Sequence, residues 1–119
     1  MVKAVSEYLK GAAEVPHNRT LLFVGAQSPE DGQGQVAGDI GAQAACVWDK
    51  VAGALAQKNL EPRHIVSVDI DLVDRADIAV AVKEQERRFR HHVAQTVRIT
   101  GLADERWRLQ VAVVAAVTR

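Results

Sequence analysis

The sequence is short of most of what marks a specialised site. It has one cysteine, Cys46, so no intrachain disulfide can form. Cysteine-based zinc fingers and iron–sulfur clusters are excluded on the same ground, and no cofactor or resident metal is expected. Aromatic residues make up only 4% of the 119 positions, too few for the stacking platforms on which single-stranded nucleic acids bind. Lys plus Arg and Asp plus Glu are both 15, for a net charge of zero. The chain as a whole therefore has no pull on a nucleic acid or an anionic membrane. No apolar run approaches the length of a membrane span. The first residues, MVKAVSEYLKG, have no apolar core of signal-peptide length. A cytoplasmic chain without membrane or nucleic-acid partners is the expectation.

What is present is an Ala- and Val-rich chain, 48% hydrophobic and 25% charged. That composition and length suit one folded domain over residues 1–119. Leu21 to Ala26 reads as a buried strand, followed by the turn-forming segment Ser28–Gly34 and a short strand at Gln35 to Ala37. Asp39 is placed to cap a helix from Ile40 to about Lys58, with Ile40, Ala44, Val47, Val51 and Leu55 on its apolar stripe. Asn59 and Pro62 mark its end. Val66, Val68, Ile70 and Leu72 alternate with Ser67, Asp69 and Asp71, the clearest strand signal in the chain. Asp74 or Asp77 starts a second helix, whose inner stripe is Ile78, Ala81, Val82, Gln85 and Phe89. Glu84 with Arg88 and Glu86 with Arg90 fall on its outer face. Strands at Thr96 to Leu102 and Trp107 to Val117 follow, joined as a hairpin through Ala103–Arg106.

Two helices can cover only one face of the sheet that this order builds. The other face is left bare, and a second copy of the chain is its expected cover.

Several segments resemble the Rid family of YjgF-like proteins. Val24–Gln27 (VGAQ) is similar to that family's VSGQ segment, and Gly38–Ala44 (GDIGAQA) to its D-I-x-A-Q helix start. Ile70–Ile78 resembles its strand-to-helix join, Phe89 its aromatic helix end, and Leu109–Ala115 its I-E-I-E-A-I-A closing strand. The resemblance spans about residues 20 to 117. It implies the α+β fold shared with one type of chorismate mutase, a homotrimer, and ligand clefts between subunits. The activity it implies is hydrolysis of reactive enamines and imines such as 2-aminoacrylate. That chemistry needs a cation for the substrate carboxylate, a positioned water, and an acid or base near the imine nitrogen.

The resemblance also shows departures. The family arginine at the start of the penultimate strand falls on Ala94 in one alignment and near Arg98 in the other. The second glutamate of the closing strand falls on Ala112, and the serine of VSGQ on Gly25. Tyr8 lies too far upstream to be the family's cleft tyrosine. These losses put the ordinary deaminase reaction in doubt and leave catalytic residues unknown. The candidate ligand-binding residues are Arg98 as anion binder, Gln27 as an amide at a strand end, and Asp71, which with Asp69 forms a carboxylate pair. The ordinary alternatives are an exposed strand arginine and an ion pair between subunits. His91–His92 as metal ligands, and lone loop residues His17 and His64, carry little weight. Two readings remain: a divergent Rid-like trimer that binds a small anionic metabolite and hydrolyses an enamine or imine if catalytic, or a non-catalytic binding or regulatory trimer.

Overall fold

A computed structural model describes residues 9–118. Tyr8 lies outside them. The chain runs β1 (Arg19–Gln27), α1 (Ile40–Ala56), β2 (Ile65–Leu72), α2 (Ile78–Arg88), β3 (Ala94–Ile99) and β4 (Leu109–Thr118). The strands form one sheet in the order β1-β4-β2-β3. β4 is antiparallel to both β1 and β2, whereas β2 and β3 are parallel and joined through α2.

Helix α1 starts where its sequence says it should. Asp39 is extended, and its Oδ1 accepts from the Ala42 N–H at 2.8 Å, satisfying one of the donors a helix start leaves free. At the other end Asn59 is left-handed with φ 60°. There the Leu60 N–H reaches back to the Leu55 carbonyl and the Leu60 side chain enters the core. Ala44, Val47, Val51 and Leu55 are buried as the periodicity requires, and Trp48 joins them, edge-on to Phe89 at 5.8 Å between centroids. The helices cover the sheet face carrying Val68, Ile70, Leu72, Val97, Leu109, Val111, Val113 and Ala115.

Two buried polar clamps lock the helices to the sheet. Gln43 donates to the carbonyls of Ala37 and Arg106 and accepts from the Arg108 N–H. Asp77 does not cap α2. It holds the Arg108 guanidinium through two 3.0 Å hydrogen bonds, while Asp74 caps the preceding turn. Fully paired buried groups of this kind cost little, whereas either partner alone would be expensive.

Several expectations need correction. Residues 35–37 form no strand, only an isolated bridge from Val36 to Glu30. Residues 103–106 do not close a hairpin: β3 and β4 are separated by β2. The turn signal there was real but serves a connection across the end of β2, with Val73 N–H donating to Arg108 O and Thr100 N–H to Leu72 O. Val66 is not in the core. An extra residue between Ile65 and Ser67 relative to β4 bulges β2, so Ile65 is buried instead. Glu84 is not on a solvated face either. It is buried between the helices, where it pairs with Arg88, which also holds Asp49 and the Ala45 carbonyl. Burial opposes the Arg88 charge, but the hydrogen bonds to Glu84 and Asp49 outweigh it and raise its pKa. Arg90 falls beyond the last turn of α2, so the helical spacing to Glu86 is lost.

Candidate functional site

The sheet face opposite the helices carries the candidate residues. Strand alternation puts Leu21 and Phe23 of β1, Gln110, Ala112, Val114 and Ala116 of β4, Ser67, Asp69 and Asp71 of β2, and Ala94, Thr96 and Arg98 of β3 on it. Sheet register aligns them in rows. Gln110, Asp71 and Arg98 form one row, and Ala112, Asp69 and Thr96 the next. Phe23, Val114, Ser67 and Ala94 form the third.

In the first row Asp71 is the hub. Its Oδ1 accepts from Arg98 Nε at 2.9 Å and its Oδ2 from Gln110 Nε2 at 3.0 Å. The aspartate is largely shielded while Arg98 stays half-exposed. Only Nε of Arg98 is committed; its two terminal nitrogens make no hydrogen bond among the described residues. That leaves the planar fork able to meet a carboxylate. Sequence spacing alone does not mark Gln110 as a partner, although it stands at the first glutamate position of the closing-strand motif.

In the next row Asp69 takes part in no ion pair or side-chain hydrogen bond among the described residues. It borders a shallow depression of about 310 Å³ together with Phe23, Gly25, Ala112 and Val114. Ala94 sits beside Ser67, four residues and roughly 13 Å along β3 from Arg98. Ala94, the arginine position of one of the two alignments, and Ala112, the glutamate position, present methyl groups on this face.

Gln27 is not brought to the same place. It lies at the end of β1 past a bulge and donates to the nearby Gly25 carbonyl at 3.0 Å. Two strands separate β1 from β3, so Gln27 and Arg98 stand roughly 14 Å apart across the sheet. Within one chain they cannot grip one small ligand. Among the described residues no group of His, Cys, Asp and Glu could hold a metal ion. No helix there is long and apolar enough to cross a membrane.

No family profile matches the sequence, and no curated protein matches it. Solved structures do. A Rid-family protein, YyfB from Yersinia pestis, superposes with a TM-score of 0.79 at 17% identity, covering 98% of this chain and 92% of that one. E. coli TdcF, solved with bound serine, gives 0.75 at 15% identity over 99% and 98%. The E. coli YjgF gene product gives 0.72 at 18% identity over 96% and 98%. The chain has the α+β fold of the Rid proteins: a mixed four-stranded sheet with two helices on one face.

Proposed function

We propose that the chain assembles as a homotrimer with its helix-free sheet face turned inward, and that the clefts between subunits bind a small anionic metabolite. The observation that carries this reading is the apolar strip on that face. Phe23 is 72% exposed and Leu21 45% exposed, beside Ala112, Val114 and Ala116. Covering a phenylalanine of this kind contributes about 2 kcal/mol per subunit, which a solvated sheet face forgoes. The fold shared with YjgF and with serine-bound TdcF supports the same reading.

In this arrangement Arg98 is the cation and Asp71 holds its fork in place. Gln27 reaches a shared cleft only as a neighbour's contribution, which its distance from Arg98 requires. If the cleft is catalytic, hydrolysis of an enamine or imine is the reaction class, and Asp69 is the unpaired carboxylate beside it that could take a proton from water. With alanine at 112, and at 94 in the alignment that moves the clamp four residues along to Arg98, that reaction is expected to be slow: a displaced carboxylate clamp and a lost glutamate cost a few kcal/mol, about a hundredfold or more in rate.

Sedimentation at micromolar concentration tests the assembly, and a stable 12.9 kDa monomer would remove trimer and cleft together. Calorimetric titration with serine and small keto acids, on the wild type and on Arg98→Ala, tests the site. The variant should keep its assembly and lose roughly tenfold or more in affinity. Equal affinity would clear Arg98 of the role. Release of ammonia from freshly generated 2-aminoacrylate tests turnover, expected to be slow.

A further inference from the structure

Three of the chain's four histidines, which sequence spacing left unassigned, converge on one cavity far from Arg98. His64 comes from the turn before β2, and His91 and His92 from the link between α2 and β3. Arg19 at the start of β1 and Arg63 join them around a cavity of about 380 Å³, with Glu14 as its one acidic lining residue. The cavity lies at the end of the sheet where β2 and β3 begin. Asp71 is five residues further along β2 than the lining residue Val66, roughly 16 Å away.

The hydrogen bonds fix how these groups present themselves. The Nε2 atoms of His91 and His92 meet the carbonyls of Ile65 and Ala12, each at 2.7 Å. A carbonyl only accepts, so both Nε2 atoms carry hydrogen and are unavailable to a metal. The rings are anchored rather than free. In His64 the other ring nitrogen is engaged: Nδ1 meets the Glu61 N–H at 3.0 Å and the Glu61 carbonyl at 3.2 Å, while Nε2 makes no hydrogen bond among the described residues. Arg63 spends only Nε on Glu61, in a solvent-exposed pair, and such pairs exchange partners at little cost. Arg19 donates to the Thr118 hydroxyl, a neutral partner, and makes no ion pair among the described residues.

We propose that this cavity is a second ligand site, one for a small oxyanion such as a phosphate or carboxylate group, held by Arg19, Arg63 and His64 between the anchored rings of His91 and His92. It goes beyond the reading of the sheet face and uses neither Arg98, Asp71 nor Asp69, although Arg19, the first residue of β1, and Ala116 bring its rim to the far end of that face.

The test is heteronuclear NMR of the imidazole resonances in the full-length protein, titrated separately with inorganic phosphate and with acetate. The expected result is saturable shifts at His64, His91 and His92. In the Arg19→Ala/Arg63→Ala variant the midpoint should weaken about tenfold or more. Both arginines are exposed, so the fold should persist, which circular dichroism checks. Saturation by phosphate alone assigns phosphate, by acetate alone a carboxylate, and by both the shared oxyanion chemistry. Shifts that never saturate, or an unchanged midpoint in the double variant, would overturn the site. Arg98→Ala should leave the titration as it is; loss of the shifts in that variant would place the anion on the sheet face instead and end this proposal while sparing the other.

Discussion

On one face of the sheet Val68, Ile70, Leu72, Leu109, Val111 and Val113 are at most 2% exposed. On the other, Phe23 and Leu21 stand in solvent beside the row Gln110–Asp71–Arg98. The strands are the same; only the parity of the residue differs. The covered face is closed by the chain's own helices, with oily side chains of varied shape and one buried amide on the strands, Gln95, whose Oε1 accepts from Gln85 Nε2 of α2 at 2.8 Å. The open face mixes small apolar residues, one large aromatic and a hydrogen-bonded charge row. A solvated face would not need the phenylalanine, and a finished core would not tolerate the charges. Such a mixture suits a surface that meets another protein surface.

Adjacent residues of β2 put that contrast to its hardest test. Ile70→Ala removes a fully buried side chain and should cost about 2–5 kcal/mol. Asp71→Ala, one position on, takes away two hydrogen bonds from a face open to water and should cost about 1 kcal/mol. Urea denaturation of both variants reads the difference. Equal losses would mean that the open face is as structural as the covered one.

The next effect falls on assembly rather than on folding. Phe23→Ser should weaken association by about 2 kcal/mol per subunit and leave the far-ultraviolet dichroism of the chain unchanged. Sedimentation across a dilution series shows the shift. A variant that assembles as the wild type does would mean that the strip round Phe23 covers nothing.

A third variant concerns one of the polar groups buried on the covered side. Gln43 is 1% exposed and makes three hydrogen bonds to the backbone. Gln43→Ala leaves the Arg108 N–H and two carbonyls without partners and should cost about 1–3 kcal/mol. Gln110→Ala, on the open face, should cost no more than a few tenths of that. Reversal of this order in thermal melts would contradict the assignment of which polar groups the fold depends on.

The same division decides what could be read from the sequence. Features fixed by near neighbours were legible. Asp39 caps α1, Asn59 ends it, and the alternation from Val68 to Leu72 finds the covered face. Features fixed by distant pairing were not. The turn at 103–106 looks like a hairpin because its residues are turn formers, but which strands pair depends on β2 winning the place beside β4. Val66 fits the alternation and is displaced by a bulge visible only against β4. Glu84 reads as an outer-face partner of Arg88 until α1 brings Asp49 against it. Asp71 and Arg98 were singled out separately, and only the parallel register of β2 and β3 makes them a pair. The cluster of His64, His91 and His92 was hidden for the same reason, since two separate connections bring it together.

Acid supplies the smallest effect and a way to see the loops apart from both faces. Three carboxyls lie below their ordinary range. Asp31 is held down by the backbone N–H groups of Gln35 and Gln33, Glu61 by a hydrogen bond from Arg63, and Asp104 by the Arg106 side chain and N–H. None lies on a strand. Asp31 follows β1, Glu61 precedes β2, and Asp104 sits between β3 and β4. A lowered carboxyl binds its proton more weakly in the folded chain than in the unfolded one, so the unfolded chain takes up more protons as acid is added. The contribution is whole above the ordinary carboxylate range and is lost as pH falls through and below it. All three groups are in solvent, so the loss should be slight. Melting temperature should hold through weakly acid pH and decline only below that range, and Asp31→Ala should flatten part of the decline. Hydrogen exchange should then show the turns at 31–35 and 104–107 opening at a higher pH than the amides of β2 and β4. Simultaneous loss of protection in turns and strands would mean that acid acts on the covered core directly, and the separation between loops and sheet would fall.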